Sequence, residues 1–394
     1  MQPLSISAAT LTTCLGAGLA PHRAALFGGR SGLEPCRFET VTLATHVGEI
    51  HSLDAPLTGE LEGFDCRNNR LALQALAQDD FVDTVAHARS RYGAHRVAVI
   101  LGTSTGGILN TEQAYRERDP ETGLFRTPFN YAGTHNVFSI ARLIAQALAL
   151  EGPTQSLSAA CATTAKAFAS AARMIAAGLC DAAVVGGADT LCLTTLYGFH
   201  ALELTAEGPC RPFDMDRCGI SIGEAAGFAL LERATDADSI RLLGVGESCD
   251  AYHMSSPHPE GVGALLAMER ALSAAGLAAP DIDYINLHGT ATLVGDSSED
   301  RAVVGLFGAD VPCSSTKGMT GHTLGAAGIV EAILSMLSLE AGFMPGSPTT
   351  QRRDPALVCN YLLQGGKKKL ARVMSNSFGF GGSNCALILG QGPW

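Results

Sequence analysis

Three segments of this chain bring together residue types that can attack a carbonyl or move a proton. Gly102-Thr103-Ser104-Thr105-Gly106 matches GxSxG and follows the apolar run Val97–Gly102, the context in which a tight strand-to-helix turn exposes a nucleophilic serine. The chain holds 45 glycines, so a purely structural glycine turn accounts for the same residues. Ser158-Ala159-Ala160-Cys161-Ala162-Thr163-Thr164 sets a cysteine between a strand end and an Ala-rich helical run. A thiol there faces the positive end of the helix dipole and unpaired N–H groups, which favour thiolate and nucleophilic attack. A buried, inert cysteine is the competing reading. The third feature is a pair of loops, Asn286-Leu287-His288-Gly289-Thr290-Ala291-Thr292 and Ser315-Thr316-Lys317-Gly318-Met319-Thr320-Gly321-His322, each entered from an apolar run. One such histidine alone is more often a hydrogen-bonded loop residue. Two imidazole N–H groups converging on one oxygen would stabilise negative charge on it, and a nearby lysine would keep both rings neutral.

Groups on separate segments meet only if regular elements carry them to one place. Val97–Gly102 reads as a buried strand, and Val137–Leu150 has helical spacing. Gln155–Ser158 leads into the helical run Ala162–Gly178, closed by its glycine. Ala182–Val185 is a further buried strand, ended by Gly186-Gly187. The second half repeats the habit with Ser239–Val245, a helix at Ala264–Gly276, Tyr284–Leu287 and a helix from about Ser298. A strand leading into Ser314–Lys317, the long helix Gly325–Ala341, and closing strands at Val373–Ser377 and Ala386–Leu389 complete it. The alternation predicts an α/β protein with helix-covered sheets. A boundary after Glu232–Asp238 gives two similar halves, 1–240 with the cysteine and 241–394 with both histidine loops.

Composition narrows the classes. With 394 residues, 46% apolar and 16% charged, the chain can bury a large core and is no disordered segment. A net charge of −11 argues against a nucleic-acid binder, while one local basic patch would still serve an acidic protein partner. No stretch approaches the roughly 18–20 uninterrupted apolar residues of a membrane-spanning helix. Residues 1–23 lack the basic start of a secretory signal. The 12 cysteines are scattered, without zinc-ligand spacing, and predict reduced thiols in the cytoplasm and no bound metal.

Taken in order, Cys161 in SAACATTA, His288 in NLHGTAT, Lys317 and His322 in SSTKGMTGHTLGAAG, and SNSFGFGGSN at 375–384 resemble the β-ketoacyl-acyl-carrier-protein synthases, above all the elongating enzymes of types I and II. Cys210-Arg211-Pro212-Phe213-Asp214 through Gly223-Glu224 fits the same family, so the resemblance runs from about Gly102 to Asn384. It implies a duplicated thiolase fold, layered α-β-α-β-α with two mixed sheets. The chain departs from the family pattern at Cys218, where an aspartate is usual, and at Ala225, Ala291 and Leu293, in place of Gly, Ser and Pro. The segment Asp65–Arg70 is similar to condensing enzymes of aryl-polyene pigment pathways.

The resemblance also implies roles. Cys161 takes the acyl group, with its own N–H and that of Phe380 as the oxyanion hole, while His288 and His322 bind the malonyl thioester carbonyl. Lys317 organises the charges, and Glu331 pairs with it or with His322. Thr290 and Thr292 bind the pantetheine arm. Thr105 lines the acyl tunnel, Phe380 gates it, and Phe378 packs nearby. Arg67, Arg70 and Arg126 are the expected docking residues for the acyl carrier protein, which itself brings the phosphopantetheine, so no separate cofactor is expected. A homodimer is expected, with a heterodimer with a chain-length factor as the alternative. Rival readings are a non-catalytic chain-length factor, which lacks the nucleophile; a thiolase, for which Cys385 would be the second cysteine; a starter-condensing synthase, with Asn in place of His322; and a serine hydrolase built on Ser104.

Overall fold

Apolar runs with no polar alternation make strands covered on both faces. In the computed structural model, which describes residues 1–126, 129–234 and 240–392, Val97–Gly102 is such a strand, buried along its whole length. The strands of the main sheet are β1 (Leu4–Thr13), β2 (Val97–Gly102), β3 (Thr154–Leu157), β4 (Ala182–Asp189), β5 (Ala225–Arg233), β6 (Arg241–Cys249), β7 (Tyr284–Asn286), β8 (Pro312–Ser314), β9 (Asn360–Tyr361), β10 (Arg372–Gly379) and β11 (Ser383–Gly390). Their order is β9-β8-β7-β10-β11-β6-β1-β5-β4-β2-β3.

That order is one pattern used twice. In the first half β1-β5-β4 are antiparallel neighbours and β4-β2-β3 parallel. In the second half β6-β11-β10 are antiparallel and β10-β7-β8 parallel. The two mixed sheets join at β1 and β6 through two residue pairs, Leu4 with Leu242 and Ser5 with Arg241. Of the expected boundary stretch, residues 235–239 lie outside the described residues, as does Ser239 of the strand expected there.

The main helices are α1 (Arg67–Leu76), α2 (Phe81–Tyr92), α3 (Ile108–Arg116), α4 (Ser139–Ala147), α5 (Thr163–Ala176), α6 (Leu193–Ala201), α7 (Val262–Ala275), α8 (Leu293–Phe307) and α9 (Ala327–Ala341). Period-two alternation decides which layer each strand residue joins. Val97, Val99 and Leu101 of β2 face outward onto α1, α2 and α4, whereas Ala98 and Ile100 face inward. The second sheet packs its outer face on α7 and α8. Between the sheets lie α5 and α9, which gives the α-β-α-β-α layering. Helix α9 is buried on all sides, and largely apolar, because both sheets surround it. The helical stretch Leu324–Ala341 is long and apolar enough to cross a membrane, a length that reading for uninterrupted apolar residues passed over; 89% of it is buried in this core. The middle layer is tight: a Cβ on Gly328 of α9 would stand 2.4 Å from the Ala165 nitrogen of α5. Both parallel halves end their strands on the same side, where the loops after β2, β3, β7 and β8 meet.

Candidate active site

Cys161 sits in the turn between β3 and α5, buried to 6% exposure. Ala160 before it holds φ +48°, a left-handed conformation that costs a residue with a Cβ about 1–2 kcal/mol. The turn brings Sγ to 3.1 Å from Nε2 of His322. Gly379 at the end of β10 passes so close that a Cβ there would lie 3.1 Å from the Cys161 nitrogen. That close passage brings the Phe380 N–H, together with the N–H of Cys161 itself, onto the sulfur.

The two imidazoles are fixed in one tautomer each. His322 is pinned through its backbone, N–H to the Ser221 carbonyl and C=O to the Gly223 N–H, and its Nδ1 accepts from the Leu324 N–H at 3.1 Å. His288 lies between β7 and α8, with its ring edge-on to that of His322 at 5.3 Å between centroids. Its Nδ1 is 3.3 Å from Lys317 Nζ, which can only donate. Both rings therefore carry their proton on Nε2. Burial first, and then the Lys317 ammonium, hold both histidines well below the ordinary imidazole range, so both are neutral. Sγ and the two rings present their polar atoms within 4.8 Å of one another, a grouping that resembles a metal cage. Protonated ring nitrogens cannot ligate, so the cluster offers hydrogen-bond donors to a substrate oxygen instead.

The expected low thiol pKa is not found. Burial pushes the Cys161 thiol up to about 11, against the pull of Lys317 and the Phe380 and Cys161 N–H groups. Cys161 rests as a thiol at neutral pH.

Lys317 is 1% exposed and donates to the His288 carbonyl and to Glu331 Oε1. Burial raises the Glu331 carboxyl to about 7 despite that ammonium. Sequence reading missed the second buried acid, Glu299 on α8. Its two oxygens accept the His288 and Gly289 N–H groups at 2.8 Å each, and Asn376 donates to it at 3.1 Å. The sequence held a faint signal, since Asp296, Glu299 and Asp300 share one helical face, and all three are buried.

A cavity of about 290 Å³ opens on Cys161, His288 and His322, with Phe378 and Phe380 in its wall and Thr290 and Thr292 on its way out. The Thr290 and Thr292 hydroxyls lie 3.0 Å apart. Phe380 packs on Phe199 at 5.6 Å between ring centroids, and Phe378 lies 6.0 Å from the His288 ring. Matches to the beta-ketoacyl synthase models cover this frame in two blocks, the N-terminal domain over residues 69–237 and the C-terminal domain over 240–351.

The chain belongs to the β-ketoacyl synthase family.

Its similarity to characterised members of that family extends over nearly the whole chain. It is 33% identical to the 3-oxoacyl-[acyl-carrier-protein] synthase 2 of Vibrio cholerae over 92% of this chain and 93% of that one. It is 34% identical to the chloroplastic 3-oxoacyl-[acyl-carrier-protein] synthase II of Arabidopsis thaliana, over 92% and 71%. Among solved structures, a chain from the complex of the ketosynthase ApeO with its chain length factor ApeC from Xenorhabdus doucetiae superposes with a TM-score of 0.90 and 40% identity, covering 99% of this ketosynthase and 98% of that chain.

Three expectations, those for Thr105, Arg67 and Arg70, need correction against this ketosynthase structure, and the rival reading of Ser104 as a nucleophile falls with them. Ser104 donates to Asp189, a carboxylate already taken up by five other donors, and accepts from the Gly325 N–H, so its hydroxyl is a tied structural link rather than a free nucleophile. Thr105 is 2% exposed with its hydroxyl on Asp189, and it does not line the cavity. Arg67 forks onto Glu224 at 2.6 and 2.7 Å and is largely covered, which leaves nothing to offer a carrier protein. Arg70 is committed to Asp65 through two bonds. Arg126 alone of the three stands out into solvent, 61% exposed and 3.8 Å from Asp119.

Proposed function

We propose that this ketosynthase condenses an acyl group held on Cys161 with malonyl-acyl carrier protein, releasing CO2 and a 3-oxoacyl-acyl carrier protein two carbons longer, in fatty-acid or polyketide-like synthesis. One observation carries the reading: a thiol 3.1 Å from one of two neutral imidazoles whose Nε2–H groups share its cavity. In acylation, Sγ attacks the thioester carbonyl, the oxyanion is held by the Cys161 and Phe380 N–H groups, and the thiol proton ends on the departing pantetheine sulfur. In condensation, the malonyl thioester oxygen takes the His288 and His322 N–H bonds. The C–C bond to the carboxylate breaks, CO2 leaves, and the enolate carbon attacks the acyl-Cys161 carbonyl, expelling the sulfur. Lys317 keeps both donors neutral, with Glu331 as its counter-charge. Thr290 and Thr292 line the path of the pantetheine arm, which arrives on the carrier protein, and Phe380 gates the acyl side while Phe378 packs beside His288.

The partner readings follow. Relatives named for the acyl carrier protein support that substrate, with Arg126 as the docking residue that the structure leaves exposed. Strand β3 ends the main sheet with its outer edge unpaired among the described residues, a surface suited to a second copy or to a chain-length factor of like fold. Two solved neighbours are ketosynthase and chain length factor pairs, which supports the second arrangement. The 12 free thiols fit a reducing, cytoplasmic setting. The halves 1–240 and 241–394 are the units that supply nucleophile and donors respectively.

The test is intact-protein mass spectrometry with a panel of acyl carrier proteins, followed by malonyl-acyl carrier protein. One acyl adduct on Cys161, discharged as a 3-oxoacyl product, is expected. An adduct on Ser104 would refute the reading.

A further inference from the structure

The GxSxG segment is not a nucleophile elbow, yet its polar groups are far from idle. The carboxylate of Asp189, fully buried at the end of β4, gathers six hydrogen bonds. Oδ1 accepts the Thr103 and Thr105 hydroxyls at 2.8 and 2.6 Å and the Ser104 and Thr105 N–H groups at 2.8 and 2.7 Å. Oδ2 accepts the Ser104 hydroxyl at 2.8 Å and, from the other half of the molecule, the Ala326 N–H at 3.2 Å. The Ser104 oxygen in turn accepts the Gly325 N–H at 3.1 Å. The carbonyl of Gly325 is taken by Thr164 on α5 at 2.7 Å.

These bonds hold Gly325 and Ala326, the last two of the three consecutive residues Leu324, Gly325 and Ala326. The first of them supplies the N–H that fixes the His322 tautomer. Leu324 holds φ +54°, a left-handed conformation that a leucine leaves when nothing confines it. Confinement comes from the next two residues, whose N–H groups end on Ser104 and Asp189. Gly325 has no slack either, for a Cβ there would lie 2.7 Å from Asp189 Oδ2.

We propose that Asp189 and Ser104 are positioning residues for His322, holding the Leu324–Ala326 turn so that the ring keeps its proton on Nε2 and aims it at the substrate carbonyl. Neither touches substrate. Ser104 acts across 221 residues of sequence, from the loop after β2, and Asp189 across 137, from the end of β4, both on the turn before α9. With the clamp open, Leu324 relaxes, its N–H leaves Nδ1, and the proton is free to occupy either ring nitrogen. The inference rests on reading His322 as an N–H donor in decarboxylation.

The experiment uses the full chain with 15N-labelled histidine, the His322 signals being assigned by comparison with His322→Ala. Wild type should show one tautomer, protonated at Nε2. Asp189→Asn turns an acceptor into a donor facing the Ala326 N–H, and Ser104→Ala, the milder change, removes the acceptor for Gly325. Both should show mixed tautomers, with CO2 release from malonyl-acyl carrier protein falling at least tenfold and Cys161 acylation by mass changing less than threefold. Thr103→Val removes a bond to the other oxygen, Oδ1, and should leave the tautomer as in wild type. An unchanged Nε2–H signal in Ser104→Ala and in Asp189→Asn would overturn the inference while leaving the donor role intact. Equal rates of decarboxylation in wild type and in His322→Ala would instead overturn the donor role itself.

Discussion

Nζ of Lys317 stands 3.3 Å from Nδ1 of His288 while its other bonds go to the His288 carbonyl and to Glu331, so one buried ammonium sets both the tautomer and the charge of a ring in the proposed site. The arrangement is costly in isolation, since a lysine and a glutamate share an interior where each needs the other.

Replacing that lysine should therefore be read at two pH values. Burial and Lys317 keep both histidines neutral well below 6.5, so wild-type CO2 release should show no acid limb at ordinary imidazole pH. Lys317→Met should move an acid limb upward and lower the rate by roughly 10²–10³-fold, the loss of one oriented donor. Its effect on stability has a definite sign. Glu331 already has a folded-state value of about 7, above its unfolded 4.5, so it costs stability as pH rises between them. Without the ammonium that window extends higher, and the variant should lose more relative to wild type at pH 8 than at pH 6. Urea unfolding at the two pH values checks this; equal losses would contradict it.

In the proposed mechanism acylation and decarboxylation use different atoms. Cys161→Ala should abolish condensation yet keep measurable CO2 release. His288→Ala or His322→Ala should keep a Cys161 acyl adduct while CO2 release falls roughly 10²–10³-fold for each lost donor. Acylation will slow in His322→Ala, because that ring also faces the sulfur. Parallel loss of both activities in all three variants would contradict the division.

Among the arginines, stability and docking should separate. Arg67→Ala leaves Glu224, wholly buried, without its cation and should cost about 3–5 kcal/mol in denaturant unfolding. Arg126→Glu should leave unfolding within about 0.5 kcal/mol, as exposed substitutions do. Its effect should fall on KM for the carrier protein, largest at low salt. A KM unchanged at low salt would place the docking surface elsewhere.

Small alkylating reagents should not find the nucleophile first. Cys218 and Cys249 are exposed, while Cys161 is buried with its thiol held at about 11. At pH 7 iodoacetamide should label the exposed pair ahead of Cys161, whose rate should climb about tenfold per pH unit as its thiolate fraction grows. Acyl carrier thioesters should still load Cys161, because carrier and cavity deliver them there. Peptide mapping that finds Cys161 alkylated first at pH 7 would refute a resting thiol.

The site was legible where chemistry and sequence neighbours coincide, and illegible where folding chose the partner. Cys161, His288, Lys317 and His322 stand in short segments whose own motifs are readable, although the strand before Cys161 is largely polar, and β2 matches its expected residues end for end. Helix α8 begins at Leu293, five residues before the expected Ser298. Its first turns are rich in Asp, Ser and Glu, which read as solvated until the carboxylates are seen to accept N–H groups of distant loops. β1 is rich in Ser, Thr and Ala and gives little apolar signal, though it lies mid-sheet. Arg67 looked available because its carboxylate partner lies 157 residues away.

The place of β1 has a consequence for synthesis on the ribosome. Its two neighbours, β5 and β6, span residues 225–249 and are translated long after it. At about 5–20 residues per second, β1, paired only at Thr12 and Thr13 with the Gly16-Ala17 that follows, waits roughly 10–45 s with most of both edges open before β5 or β6 emerges. An unpaired strand is a template for other chains during that interval. Shielding this early strand until residues 225–249 are made is therefore a task for chaperones during synthesis, and faster translation of that stretch shortens it.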